Sequence, residues 1–462
     1  MHIRYQILSG ILLLFSLSLQ AQIQCWTTHP ASRQFLQQST ITSSPAQGSE
    51  TLPAIFIDSL KIYQSMDGFG CTLTGGSTQL LAKMSAEKRG ALLKELFDPR
   101  APGSIGISYL RISVGASDLS DRVFSYNDLP KGQIDTLLEK FSLDPERKDF
   151  LPMLKEILRI NPTIKIMASP WSPPTWMKTN GNSKGGGLKP EYYAAYALYL
   201  VKYIQAMQSE GIVIDALTIQ NEPLHPGNNP SLLMYPHEQA NFVKNHLGPT
   251  FGENCLKTKI IIYDHNADRP DYPIAILNDT AAKKFIDGSA FHLYGGTIDA
   301  LSEVHAAHPD KNLYFTEQWI GAPGNMEGDL KWHIKNLMIG ASRNWAKTVL
   351  EWNLAADPQQ NPHTDGGCTE CLGVITLNQD EVKRNPAYYI IAHASKFVKP
   401  GAKRIYSNTT LSLANVAFKN PDGKTVLLVV NEGGNEVRFR VNVGTKGFTH
   451  TLAAGAVATL VW

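Results

Sequence analysis

The sequence predicts an α/β protein: a (β/α)8 barrel of the TIM type carrying a separate antiparallel β domain. Three observations point there. From about residue 69 to 395, eight near-continuous apolar runs alternate with helix-like stretches. Parallel strands buried on both faces read this way, and eight strand-helix repeats suit a closed barrel. After about residue 396 the texture changes to short alternating strands, with turns at Pro421-Asp422-Gly423 and Gly433-Gly434. No G-x-G-x-x-G turn is present, which weakens the alternative, a doubly wound open sheet.

Taken in order, residues 1–21 read as a cleaved export signal. His2 and Arg4 precede an apolar core of about a dozen residues, Ile7 to Leu19, and Ala21 offers a small residue for cleavage. About 20 apolar residues are needed to span a bilayer, so this stretch is too short for an anchor. No stable membrane insertion is expected, and the mature protein is expected in the periplasm or outside the cell. Residues 22–50, rich in Ser, Thr, Gln and Ala, read as a linker or poorly ordered arm. Residues 51–68 read as strands that join the C-terminal β domain, which makes that domain discontinuous.

The barrel occupies 69–395. Its runs are FGCTLTG from Phe69, ISYLRISVG from Ile107, IKIMASPW from Ile164 and IDALTIQNEP from Ile214. They continue with KIIIYDHN from Lys259, SAFHLYGG from Ser289, NLYFTEQW from Asn312 and KTVLEWN from Lys347. Two of the intervening helices are EYYAAYALYLVKYIQAMQSEG, expected to stop at Gly211, and PHEQANFVKNHLG, expected to stop at Gly248. Residues 396–462 complete the β domain.

Composition narrows the function. The 462 residues are 43% hydrophobic with a net charge of +2, and no long basic run suits nucleic acid. Cys25, Cys71, Cys255, Cys368 and Cys371 leave at least one thiol unpaired. Cys368 and Cys371 form a C-x-x-C without a second ligand pair, so a small disulfide or two free thiols reads better than zinc.

Barrel enzymes place their chemistry at the C-terminal ends of the strands. Arg111 and Asp118 follow the second run, Trp171 and Trp176 the third, and Asn221-Glu222 the fourth. Asp264-His265-Asn266 end the fifth, His292 and Tyr294 the sixth, Glu317 the seventh, and Trp352-Asn353 the eighth. Aromatic faces with amides and carboxylates suit a carbohydrate better than a phosphate ligand. Two acids on different strands are what glycoside hydrolysis requires, and Glu222 and Glu317, about 95 residues apart, are the candidate pair. Pro223 is expected to hold Glu222 extended. No G-x-S-x-G elbow is present, which argues against an esterase. Asp264, His265 and His292 could ligate a metal, but hydrogen bonding or packing is the expected role. No metal and no cofactor is assigned. Glu351, beside Trp352, reads as structural.

The motifs GFGCTLTGG, LRISVGASDLS, ASPWSPPTWMKTNG, TIQNEPLHPG, FHLYGG, FTEQW and EWNLA resemble glycoside hydrolase family 30, from about Asp67 to the C-terminus. The resemblance implies a barrel with a β-sandwich made from both chain ends, and a retaining mechanism. It implies Glu222 as acid/base and Glu317 as nucleophile. It assigns Asn221 to the sugar 2-hydroxyl and Tyr294 to a hydrogen bond with the nucleophile. Arg111, Asp118, Trp171, His292 and Trp352 would form the sugar pocket and its support, and Asn353, at the end of the eighth run, is a further substrate-binding candidate. The expected carboxylate separation is about 5–5.5 Å, with Glu222 raised in pKa by burial and by its negative neighbour. The implied substrate is a β-linked glucoside or glucan. Glucosylceramidase-like action is the first reading and endo-β-1,6-glucanase the alternative, since the loop NPHTDGGCTECLGVIT looks more like the microbial members. A β-xylanase is a weaker reading, because Asp118 and Trp171 match glucose-binding members. A silent carbohydrate-binding protein is weakened by the presence of both glutamates.

Overall fold

The computed structural model describes residues 22–42, 44–45 and 52–462; the apolar leader lies outside them. Eight parallel strands close into a barrel. They are β1 (Gly68–Leu73), β2 (Tyr109–Val114), β3 (Lys165–Pro170), β4 (Ala216–Thr218), β5 (Lys259–Ala267), β6 (Ile286–Gly296), β7 (Asn312–Glu317) and β8 (Ala346–Asn353). These are the eight runs read from the sequence. Tyr109, Met167, Ala216, Ile261, Ala290, Tyr314 and Leu350 form one buried cluster drawn from seven of the strands. A barrel interior filled in this way is a packed core rather than a pore, so a ligand is confined to the strand ends.

One helix boundary differs from expectation. The helix at Tyr193–Ser209 does end near Gly211, which has φ 81°. Gly248 does not stop its helix: it has φ −60° and opens a further helical segment, Gly248–Glu253. A Cβ there would sit 2.3 Å from the Phe285 ring, so this glycine permits close packing instead of ending a helix.

The second domain is built on a ten-stranded sheet. Ala54–Ser65 enters it between Lys403–Ser407 and Val437–Val443. The arm expected at 22–50 is corrected in part. Gln22–His29 is a strand paired with both Gln34–Thr42 and Val457–Val461. Ile23 and Cys25 bury themselves while Gln22 stays exposed, a period-2 pattern too short and polar to stand out in sequence. Helix Pro386–Ser395 ties the domains together: the buried His393 ring lies 2.9 Å from Thr459 Oγ1 and 2.8 Å from Thr28 Oγ1. Among the described residues, no helix is long and apolar enough to cross a membrane.

Candidate active site

The C-terminal strand ends surround a cavity of about 440 Å³, lined by Asp118, Trp171, Asn221, Glu222, His265, Tyr294, Glu317, Trp319, Trp352 and Cys368–Cys371, among others. Its centre is organised from below by Arg111 on β2, which is fully buried. Arg111 Nη1 donates to Glu317 Oε2 at 2.5 Å, and Nη2 donates to Asn221 Oδ1 at 2.6 Å and to Asp264 Oδ2 at 2.9 Å. The guanidinium also faces Trp171, 4.8 Å from that ring. A desolvated cation is costly unless it is paired, and both Nη groups of this one are, while its Nε has no partner.

Asp264 is the counterweight. Its Oδ2 lies 2.8 Å from the hydroxyls of both Ser169 and Thr218. Its Oδ1 accepts from Thr316 Oγ1 at 2.6 Å and from His292 Nε2 at 3.1 Å. Burial alone would raise this carboxyl, but the Arg111 charge and these donors hold it far below the ordinary range. Tyr263 and Asp264 have φ values of 72° and 69°, and the β5–β6 register shifts beside them. A bulge of this kind re-aims a side chain, here turning Asp264 into the barrel mouth.

Glu222 is not extended as Pro223 suggested: its φ is 47°, in the left-handed region. The turn is fixed by Glu222 N–H donating to the Asp264 carbonyl and by His225 N–H donating to the Glu222 carbonyl, both at 2.9 Å. Non-glycine residues held this way concentrate at functional sites. Glu222 Oε2 accepts from Asn228 Nδ2 at 3.2 Å. Glu317 ends β7 and also accepts from Tyr294 OH, at 3.0 Å. His292 Nδ1 lies 3.4 Å from Glu222 Oε1 and 3.7 Å from Glu317 Oε1. Those two distances laid end to end keep the carboxylate oxygens within roughly 7 Å of each other.

The electrostatics differ from expectation at Glu222. Burial raises it, but the hydrogen bond and charge of His292 outweigh burial and lower it. Glu317 is raised, chiefly by burial. His292 is itself pushed up to about 9: burial opposes its charge, but Glu317 and Asp264 overcome that. These three groups titrate as a unit. Asp118 rises to about 7, through burial first and then the charges of Glu317 and Glu222, while the Cys368 N–H donates to it.

The expected residues divide into lining and support. Asp118, Trp171, Asn221, Tyr294 and Trp352 line the cavity with the two glutamates, while Arg111 and His292 stand behind that wall. Asn353 is corrected. It does not line the cavity: its Oδ1 accepts from Thr74 and Ser77 at 3.0 and 2.9 Å, tying β8 to the first helix. Trp176 is likewise outside the cavity, donating to Asn127 Oδ1 at 2.9 Å. Glu351 pairs with His333 at 3.0 Å, as a structural residue would. Trp319 and Asn228 enter the wall without having been singled out for it, together with the Cys368–Cys371 disulfide of the loop NPHTDGGCTECLGVIT. Trp319 lies two residues beyond Glu317, the one sequence signal that could have placed it.

Comparison with known proteins agrees with this architecture. The model of the glycosyl hydrolase family 30 TIM-barrel domain matches residues 66–398, and that of the family's β-sandwich domain matches 401–460. An endo-1,6-β-D-glucanase of Aspergillus fumigatus is 34% identical over 407 residues, covering 82% of this chain and 81% of that relative. The lysosomal acid glucosylceramidase of Mus musculus is 28% identical over 434 residues, covering 87% and 82%. A solved endo-β1,6-glucanase structure superposes with a TM-score of 0.88 at 37% identity, covering 96% of this chain and 99% of that one.

Proposed function

The chain belongs to glycosyl hydrolase family 30, and from that premise we propose that it is an exported retaining hydrolase of β-1,6-linked glucan. The observation that carries the mechanism is the convergence of Glu222 and Glu317 on His292 Nδ1. A separation within roughly 7 Å admits the retaining spacing of about 5–5.5 Å and reaches only the low end of the inverting range of about 6.5–9.5 Å, which supports the retaining reading.

Glu317 is the nucleophile in this reading. Burial raises its pKa, but Arg111 and Tyr294 both donate to it, which opposes burial and favours the carboxylate needed to attack the anomeric carbon. Glu222 is the acid/base, and its proton source is local. Asp264 is ionised and only accepts, so His292 Nε2 carries the proton that faces it. One further proton between His292 Nδ1 and Glu222 Oε1 makes the pair either imidazolium–carboxylate or imidazole–carboxylic acid. The first form fits the lowered Glu222 of the free site. The second protonates the departing oxygen as Glu317 closes the glycosyl ester. Glu222 then takes a proton from water, which releases the sugar with its configuration retained.

The substrate choice rests on relatives. Proteins at 34% and 37% identity carry endo-β-1,6-glucanase names, against 28% for the glucosylceramidase. Parallel product analysis on β-1,6-glucan, β-1,3-glucan, glucosylceramide and xylan tests it. Oligosaccharides released from β-1,6-glucan, with retained anomeric configuration in the first product, are expected. Glucose released from glucosylceramide alone would replace the substrate assignment. Export is supported by the leader sequence and by a disulfide, which persists in oxidising compartments; a secreted product whose N-terminus lies near residue 22 is the expected outcome of terminal sequencing.

A further inference from the structure

We infer that Glu222, His265 and His292 form a binding site for a divalent transition metal, zinc or copper, whose occupancy blocks the acid/base carboxylate. Two buried imidazole atoms, His265 Nδ1 and His292 Nδ1, have no hydrogen-bond partner beyond the carboxylates they face. Both face the same carboxylate oxygen, Glu222 Oε1, at 3.8 and 3.4 Å. The ligand atoms of all three residues lie within 4.8 Å of one another. A tetrahedral zinc with bonds of about 2.1 Å separates its ligands by about 3.4 Å, so the two contacts to Glu222 need to contract by at most a few tenths of an ångström, while the imidazoles, within 4.8 Å of each other, close by at most about 1.4 Å through side-chain rotation.

The surroundings also fit a metal. His292 Nε2 donates to Asp264 at 3.1 Å, which aims Nδ1 at Glu222, and a metal bound there displaces the proton that Nδ1 shares with Glu222 Oε1. A carboxylate behind a ligating imidazole is the usual outer support of a metal site. Asp264 itself is not free to ligate, because Arg111, Ser169, Thr218 and Thr316 occupy its oxygens together with His292. This corrects the grouping of Asp264, His265 and His292 suggested by sequence. Two imidazoles with one carboxylate favour zinc or copper over magnesium or calcium. His265 and Glu222 line the cavity, so an ion arrives from solvent and keeps an open position. Binding stands on these side chains alone; the inhibition it implies rests on the hydrolase reading.

The test uses untagged mature protein stripped with chelator, titrated with zinc chloride by calorimetry. One saturable site is expected, with a thermal midpoint that rises with zinc and hydrolysis that falls and returns on adding chelator. His265→Ala is expected to weaken zinc binding by at least about tenfold, as loss of a ligand should, with its circular dichroism melt confirming a folded protein. Glu222→Gln provides the second, nearly isosteric variant. Absence of saturable binding at millimolar zinc overturns the proposal. So does zinc binding by His265→Ala as tight as that of the parent. Stoichiometric zinc binding by a protein that hydrolyses nothing when metal-free leaves the metal site standing and removes the hydrolase reading. Hydrolysis without zinc binding does the reverse.

Discussion

Arg111 donates to Glu317 at 2.5 Å and, through its other amino group, to Asn221 at 2.6 Å. One buried cation therefore fixes the proposed nucleophile and the amide proposed to bind the sugar 2-hydroxyl. Arg111→Lys keeps the charge but loses the planar fork, and so cannot serve both. kcat is expected to fall more than tenfold with KM changing less. Arg111→Met should also lose stability, by about 3–5 kcal/mol, because Asp264 is left buried without its cation. Denaturant unfolding and steady-state kinetics check both.

The two glutamates are separable by azide rescue. Glu317→Ala should abolish turnover, and added azide should restore it with an α-glycosyl azide as product. Glu222→Ala should lose about 10²–10⁴ in rate on substrates with poor leaving groups, much less on dinitrophenyl glucosides, and give the β-azide. Nuclear magnetic resonance of the azide products decides the assignment. The same anomer from both variants, or activity in Glu317→Ala without azide, would refute it.

Asp118 gives a pH signature for stability. Burial, with the charges of Glu317 and Glu222, pushes its folded pKa up to about 7, above the ordinary aspartate value of about 3.9. Between those values the folded state binds more protons than the unfolded state. The stabilising contribution is therefore complete at low pH and is lost as pH rises through 7. Asp118→Asn, neutral throughout, should be more stable than the parent at pH 8, by no more than about 4 kcal/mol. At pH 4 the difference should vanish. Urea unfolding at the two pH values makes the comparison.

The disulfide should matter more for binding than for stability. Closing a loop of four residues contributes on the order of 2 kcal/mol in the chain-entropy model. Yet the bridge lines the cavity and the Cys368 N–H donates to Asp118. The double variant Cys368→Ser, Cys371→Ser is expected to raise KM several-fold with kcat nearly kept. An unchanged KM would mean that the loop holds its shape without the bridge.

Much of this site was legible in sequence because it follows periodicity. Glu222 and Glu317 each close a strong apolar run, and parallel strands deliver such residues to one rim. Asp264 carried the right position but not its role. Its place at the hub depends on the left-handed pair Tyr263–Asp264, which no run of residue types announces. The His292 contact with Glu222 comes from neighbours on different strands, and it reverses the pKa direction that burial alone suggests. Asn353 was misread for the opposite reason: it ends β8 beside Trp352, but consecutive residues on a strand face opposite ways. Gln22–His29 was missed because only Ile23 and Cys25 mark its inner face, and its partners lie at the other end of the chain.

Asn221 offers the sharpest test of sugar placement. Its Oδ1 is held by Arg111, so the Nδ2 amine is the end left to donate toward a hydroxyl. Asn221→Asp is isosteric and removes that donor, while setting a third carboxylate against Arg111, beside Glu317 and Asp264. Loss of one preorganised donor costs about 10²–10³ in kcat in other enzymes, and a similar fall is expected here. A 2-deoxyglucoside should already lack the interaction in the parent enzyme. The two losses should therefore not add: the variant and the parent should hydrolyse the deoxy substrate at closer rates than they do the full glucoside. Additive losses would move Asn221 away from the 2-hydroxyl, and would leave Arg111 holding it for the integrity of the site alone.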